Sequence, residues 1–382
     1  MNVGIMYPRS KAYPTIMQDF VEGIRTFIGK HSGAEINLIT ESVGYGGAEK
    51  EVYEKAEKLL MLENVDVLVA FIGEKVLEII LPLMQSTGKL LLVVHPGANY
   101  PYSWIPQPNI IQLTLQDAFL SSLSGKEAAK GKSKEAIVAS TFYDCGYLHL
   151  AVMVDGFAQT GGNIVFNYVN NQAYDDNFNI NELEIFLNEA KNVPSILSLF
   201  DELPASLFFE RLNENEKAAE LELFVSPMML QPEALARSGD GFKFSITGYS
   251  PWQPGIETIA GTEFNDAFLA KTKRKVGIFS LLGWEVGMIL KYVADEVGEG
   301  FEDGAAIAVG LQNVPFNSPR GKLKLDPGTN YFTAPIVQCS IVGGQNRMTM
   351  QQLDFPFDDW STYVEQPTEG AGSGWTNTYL CY

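Results

Sequence analysis

The chain has 382 residues, 46% of them hydrophobic and 19% charged, which suits two globular lobes better than one domain or a disordered chain. Asp and Glu number 46 against 27 Lys and Arg, a formal charge of -19, so neither a nucleic-acid surface nor an anionic membrane patch is its main business. No apolar run reaches the roughly 18 residues of a membrane span. Three cysteines, Cys145, Cys339 and Cys381, show no CxxC spacing and support neither a disulfide framework nor a zinc site. A single Cys339–Cys381 bridge and three reduced thiols both fit that count.

The chain as written opens on a strand-like NVGIMY at Asn2 to Tyr7, with no signal peptide ahead of it. A helix follows from about Thr15 to Lys30, carrying Phe20, Ile24, Phe27 and Ile28 on one side. Glu35 to Glu41 reads as a strand and Ala48 to Met61 as a helix, with Glu51/Lys55 and Glu54/Lys58 pairs on its wet face. The stretch from Asp66 to Asn99 then gives strand, helix, strand: DVLVAFI and KLLLVV flank Val76, Ile79, Ile80, Leu83 and Met84 at helical spacing. Each of its strands ends in a small-residue turn, Ile72-Gly73-Glu74 and His95-Pro96-Gly97-Ala98-Asn99, where backbone can approach a ligand. In an open parallel sheet this carboxyl edge is where ligands bind.

After a short strand at Ile110 to Leu113 the alternation starts again. Helices are expected at 121–133, 148–160, 180–190 and 204–213, and strands from Ala136 and over 163–169, 195–200, 223–226 and 244–249. Two further helices follow at 262–272 and 280–296, the second apolar on most sides and placed in a core with Trp284. The DPGTN turn at Asp326 to Asn330 lies between extended segments and reads as a hairpin or crossover. From Pro356 onward no periodicity of either kind is sustained, so a tail that wraps a lobe or stays mobile is expected.

No G-x-S-x-G elbow, P-loop, G-x-G-x-x-G or HExxH spacing occurs. Of three histidines, His31 ends a polar helix and His149 begins one, while His95 alone stands at a strand's carboxyl end, where a relay with Asp144 or Asp201 is conceivable. The binding alternative uses the same edge without chemistry. N–H groups near Gly73, Glu74, Gly97, Ala98 and Asn99 would hold an anion, and Asp144, Asp201 and Glu202 an ammonium. The aromatic residues Tyr7, Tyr100, Phe142, Tyr143, Tyr147, Tyr249 and Trp252 would line the pocket.

The segments NVGIMYP...FVEGIR, VLVAFIG...LLLVVHPGANYP, AIVASTFYDCGY...AVMVDGFAQTGGNIV and SPRGKLKLDPGTN...FTAPIVQC together resemble the type I periplasmic solute-binding proteins of ABC importers, in the group that binds branched-chain amino acids and amides. The resemblance runs over about residues 2 to 345 and rests on order and spacing. It implies an α/β fold of two Rossmann-like lobes with parallel-sheet cores and three crossovers, near Leu115, Thr247 and Asp326, that close over a solute by hinge motion. It also implies that the turns at Ile72 to Lys75 and Pro96 to Asn99 hold a solute carboxylate, and that Tyr147 and Asp201 contact it from the other lobe. Two departures stand out. Met228 lies where the family's amine-binding acid is usual, and Glu74 lies in the carboxylate turn, so either Glu74 points away or the solute is neutral or cationic.

The expectation is therefore one lobe from 1–115 plus 248–326, a second from 116–247 plus 327–354, and an extension over 355–382. The function expected is capture of a small polar solute for an ABC permease, by a periplasmic or extracellular monomer using no cofactor and no metal. The alternative is a ligand-sensing regulator or a hydrolase-like enzyme using the same cleft.

Overall fold

The computed structural model describes residues 1–11, 13–98, 106–142, 148–171, 178–236, 241–297, 303–345 and 347–365. It divides into two compact units, one built from 1–115 and 254–335, the other from 116–253 and, within the described chain, 336–365.

The first 115 residues alternate β1 (Asn2–Tyr7), α1 (Ile16–His31), β2 (Asn37–Ser42), α2 (Glu49–Glu57), β3 (Val67–Phe71), α3 (Glu74–Thr87), β4 (Leu90–His95) and β5 (Ile110–Thr114). A π-helical turn, Lys58–Leu62, extends α2. β3 and β4 are buried along their whole length, as parallel strands covered on both faces must be, which is why they read as continuous apolar runs.

The chain then enters the second unit through α4 (Asp117–Ala128), β6 (Glu135–Thr141), α5 (Leu148–Ala158), β7 (Asn163–Asn170), α6 (Asn181–Glu189), β8 (Ser195–Leu199), α7 (Glu202–Glu214), β9 (Glu222–Val225) and β10 (Ser245–Ser250). It returns to the first unit as α8 (Ile259–Thr272), α9 (Ile278–Val297), α10 (Gly304–Gln312), β11 (Phe316–Ser318), β12 (Gly321–Leu325) and β13 (Tyr331–Thr333). The last described segment, in the second unit, holds β14 (Ile336–Ile341), β15 (Met348–Leu353) and α11 (Phe357–Glu365).

The first sheet has the order β11-β12-β13-β5-β4-β3-β1-β2 and the second β15-β14-β10-β9-β8-β6-β7. Within each, five consecutive parallel strands follow the doubly wound order 2-1-3-4-5. The strand order reverses between β1 and β3 in one unit and between β6 and β8 in the other. Crevices at such points, outside the carboxyl ends of the strands, are the binding positions of the fold.

Helix pairs seal the sheets by close backbone approach. A Cβ on Gly283 of α9 would stand 2.0 Å from the Phe20 carbonyl oxygen of α1, and one on Gly125 of α4 would stand 1.9 Å from the Met153 carbonyl oxygen of α5. Trp284 is buried in the first of these pairs, edge-on to Phe27 at 5.0 Å.

Three boundaries differ from the sequence reading. The second passage between units falls at Gln253/Pro254 rather than near Thr247, because β10 stays in register with β9 through Gly248 and with β14 through Ser250. The third falls at Pro335/Ile336 rather than Asp326: the DPGTN turn joins β12 and β13 as a hairpin inside the first sheet. Residues 357–365, expected to be aperiodic, form α11, whose Trp360 and Tyr363 pack on Phe119 of α4 at 5.2 and 5.3 Å, with Asp359 paired to Lys126 at 2.7 Å. Cys339 is a free, buried thiol of β14; Cys145 and Cys381 lie outside the described residues.

Candidate functional site

At the switch point of the first unit, β3 ends in Phe71, Ile72 follows, and Gly73 caps α3 in an extended conformation. Its carbonyl accepts the Val76 and Leu77 N–H groups at 3.2 and 3.3 Å, and among the described residues no side chain caps the helix. The N–H groups of the first turn thus meet the carboxyl edge without a side-chain acceptor, and Gly73 brings no Cβ to obstruct an approaching anion. Tyr7, at the end of β1 across the switch point, is half-buried. The Glu74 side chain and residue Asn99 lie outside the described residues.

The second turn is built differently from expectation. His95 ends β4 and is only 2% exposed. Its Nε2 lies 2.7 Å from Oε1 of Gln112 on β5, and its Nδ1 accepts the Gly97 N–H at 3.0 Å. An acceptor role fixes Nδ1 as unprotonated, so Nε2 carries the hydrogen and donates it to Gln112. Burial pushes the imidazole pKa down to about 4, against a smaller upward pull from the Gln112 hydrogen bond. The His95–Asp144 or His95–Asp201 relay is corrected on this ground: both ring nitrogens are occupied by Gln112 and Gly97, and the ring is neutral. Gly97, at φ +87°, keeps its place in the turn, but its N–H is not open to a solute. Ala98 is buried beside it.

The same sheet face carries more buried polarity. Gln112 and Thr114 alternate along β5, with Thr114 paired to His95 in register. Below them Arg320 and Glu285, 2% and 0% exposed at their side chains, form a two-pronged ion pair, Nε–Oε1 at 2.9 Å and Nη2–Oε2 at 2.6 Å. Arg320 Nη1 also donates to the Thr114 carbonyl at 3.1 Å, and the Ser318 hydroxyl donates to Glu285. Thr114 is the last strand residue before the chain leaves this unit, and Gln116 just beyond it is left-handed at φ +57°. Gln112, Thr114, Glu285 and Arg320 are not singled out by the sequence reading. The available signals were a lone Glu in the apolar run LLGWEVGMIL and two polar residues spaced by two in IIQLT.

In the second unit β8 leads through Phe200 to Asp201, the buried N-cap of α7, and Glu202 in the first turn. Burial first, then the charges of Glu233 and Asp201, raise the Glu202 carboxyl to about 7, although the helix N-terminus favours the anion. Phe142, following β6, is 60% exposed, and Leu203 beside Glu202 is exposed as well. These residues flank the second switch point. Asp144 and Tyr147 lie outside the described residues.

Three of the expected contact residues are buried. Met228 is 1% exposed inside a 3-10 turn, Pro227–Leu230. Tyr249 is buried; its hydroxyl donates to Glu127 Oε2 at 3.4 Å and accepts from Gln338 at 3.2 Å, and burial first, then the Glu127 carboxylate, raises its pKa. Trp252 is buried and its carbonyl accepts the Ser250 hydroxyl at 2.8 Å. Among the described residues no group of three or more His, Cys, Asp or Glu could hold a metal ion, and no helix is long and apolar enough to cross a membrane.

The family model described as periplasmic binding protein matches residues 1–345. A search of curated proteins finds no match. Among solved structures, an ABC transporter substrate-binding protein from Sphaerobacter thermophilus is similar with a TM-score of 0.74 at 15% identity, covering 93% of this chain and 96% of that one. A solute-binding protein of an ABC transporter from Rhodopseudomonas palustris BisB5, solved with 3,4-dihydroxybenzoic acid, has a TM-score of 0.71 at 16% identity over 93% and 96% of the two chains. A leucine-binding protein from Thermotoga maritima has a TM-score of 0.68 at 13% identity over 94% and 99%. At these identities the solved structures establish likeness of fold.

Proposed function

The chain belongs to the periplasmic binding protein family, and we propose that it is an extracytoplasmic, monomeric receptor that captures one small organic solute and presents it to an ABC permease. The observation that carries the proposal is the α3 N-terminus behind Gly73, which has no side-chain cap and opens on the carboxyl edge at the β1/β3 switch point. Such a terminus suits a carboxylate.

The second unit, taken by itself, favours an aromatic or otherwise apolar solute. Phe142 and Leu203 are exposed at the carboxyl edge of the second unit, and buried Met228 stands where the family resemblance implies an amine-binding acid. Glu202, near half-protonated at pH 7, suits a hydroxyl partner as donor or acceptor. Relatives of this fold solved with hydroxylated benzoates fit that description. A second reading, an α-amino acid such as the leucine of the Thermotoga relative, draws on Asp201 and Glu202 as ammonium partners.

The test is thermal unfolding of protein stripped of carried-over ligand by mild denaturation. The panel is 4-hydroxybenzoate, 3,4-dihydroxybenzoate, benzoate, leucine and isoleucine. A true solute at 100 times its Kd adds about 2.7 kcal/mol, which raises Tm by roughly 5 to 10 °C. A larger shift with the benzoates than with the amino acids supports the aromatic reading, the reverse supports the amino-acid reading, and turnover of a bound probe would sink the receptor proposal.

A further inference from the structure

The hydrogen bond from Gly97 N–H to His95 Nδ1 spans two residues forward in sequence, the same span as an Asx turn, in which an Asn or Asp side-chain oxygen accepts the N–H two positions on. Here an imidazole occupies that role. It can do so only as the Nε2–H tautomer, and Gln112 Oε1 at 2.7 Å selects that tautomer by accepting the Nε2–H. Thr114, in register with His95, is held through its carbonyl by Arg320, so the strand that carries the selector is itself anchored. Gly97 supplies the left-handed backbone that lets its N–H turn back onto the ring.

We propose that His95 is a positioning residue for the solute turn: through its unprotonated Nδ1 it fixes the conformation of Pro96-Gly97-Ala98, and solute affinity depends on that acceptor rather than on the bulk of the ring. The inference rests on the receptor reading above. A space-filling role and a positioning role make opposite demands on substitution. Phe keeps the ring volume and has no acceptor. Asn loses much of the volume and restores the two-residue-forward acceptor.

Protonation is a third probe of the same atom. Imidazolium would present Nδ1–H to the Gly97 N–H, donor against donor, so acid should weaken the turn in the wild type and spare an Asn variant. Among the described residues the ionisable groups about the ring are Tyr331, edge-on at 6.0 Å, and the Glu285–Arg320 pair, which reaches the Thr114 carbonyl with opposite charges joined.

The experiment compares wild type, His95→Phe and His95→Asn by calorimetric titration with 4-hydroxybenzoate and with L-leucine, alongside amide hydrogen exchange at Gly97 and the imidazole nitrogen-15 spectrum of the wild type. The expected result is about tenfold weaker binding for His95→Phe, the loss of one hydrogen bond, and a smaller loss for His95→Asn. The Gly97 amide should be protected in wild type and His95→Asn and exchange readily in His95→Phe. Equal or tighter binding by His95→Phe than by His95→Asn would overturn the proposal, as would a wild-type spectrum with the proton on Nδ1. If the wild type binds neither probe, the receptor reading fails for those classes; hydrogen exchange and the tautomer then decide whether His95 sets the turn.

Discussion

Acid should weaken the first unit through His95 in a pH window that the structure sets. The ring is buried and neutral with a pKa lowered from 6.5 to about 4, so between those values the unfolded chain binds a proton that the folded unit refuses. The sign follows: the stabilisation is complete above pH 6.5, is lost as pH falls toward 4, and falls no further below it. A separation of 2.5 units corresponds to about 3 kcal/mol, a large part of the roughly 5 to 15 kcal/mol that holds a domain folded. The assay is urea unfolding at pH 7.5, 6, 5 and 4.5, followed by tryptophan fluorescence, with Trp284 in the first unit. His95→Phe deprives Gln112 Oε1 and the Gly97 N–H of partners, so at pH 7.5 it should be less stable by about 2 to 4 kcal/mol. Its curve should then stay flat where the wild type declines, and the two should converge near pH 4. Parallel curves across the window would refute the assignment of that proton to His95. The second unit is a poorer place to look. His149, buried with a pKa near 3, loses stability on acidification in the same sense, but Glu202, with its folded pKa raised to about 7 from 4.5, becomes better accommodated as pH falls.

Other substitutions separate packing from charge. Arg320→Met or Glu285→Met alone should cost about 3 to 5 kcal/mol by stranding a buried charge, while the double Met variant recovers most of that loss, measured by urea midpoint. Gly283→Ala drives a methyl group against the Phe20 carbonyl, 2.0 Å from the Cβ position, so α1 and α9 must separate; a drop in Tm is expected, and an unchanged Tm would deny their close packing. Glu202→Gln removes a titration near pH 7, so whatever pH dependence solute affinity shows between 6 and 8 should flatten in calorimetry if that carboxyl faces the solute.

The alternation of strands and helices is legible because apolar runs such as VLVAF and LLLVV are too short to span a membrane and too apolar for a surface, so they read as buried strands. Helices without a wet face were the ones misplaced. α4 is buried on nearly every side, so it offers no 3.6-residue contrast, and the expected start at Ser121 misses its first turn at Asp117. The Gly- and Ala-rich α10, GAAIAVGLQ, is not legible as a helix because its exposed positions, Ala306 and Val309, are as apolar as its buried ones. α11 depends on aromatic contacts with Phe119, far away in sequence, which no local window contains. At the site, the turn after β3 could be found from Gly73 alone, since a glycine between a buried strand and a helix marks an open cap. The network behind the second turn could not, because Gln112, Glu285 and Arg320 meet only when β5, α9 and the β11–β12 turn come together.

The placement of that buried polarity bears on how the edge works. An apolar core at His95, Gln112, Glu285 and Arg320 would be at least as stable, since a buried ion pair recovers little beyond its own desolvation. The Nε2 atom of Gln112 and Oγ1 of Thr114 are buried without a hydrogen-bond partner among the described residues, each an added cost of about 1 to 3 kcal/mol. What these groups do that Leu and Met cannot is hold particular backbone atoms: the Gly97 N–H at the turn and the Thr114 carbonyl where the chain leaves the unit. With the Gly97 donor held inward, the uncapped turn of α3 is the donor set left at this edge among the described residues. The backbone of the turn after β4 and of the exit from this unit is therefore held by the buried side chains behind it.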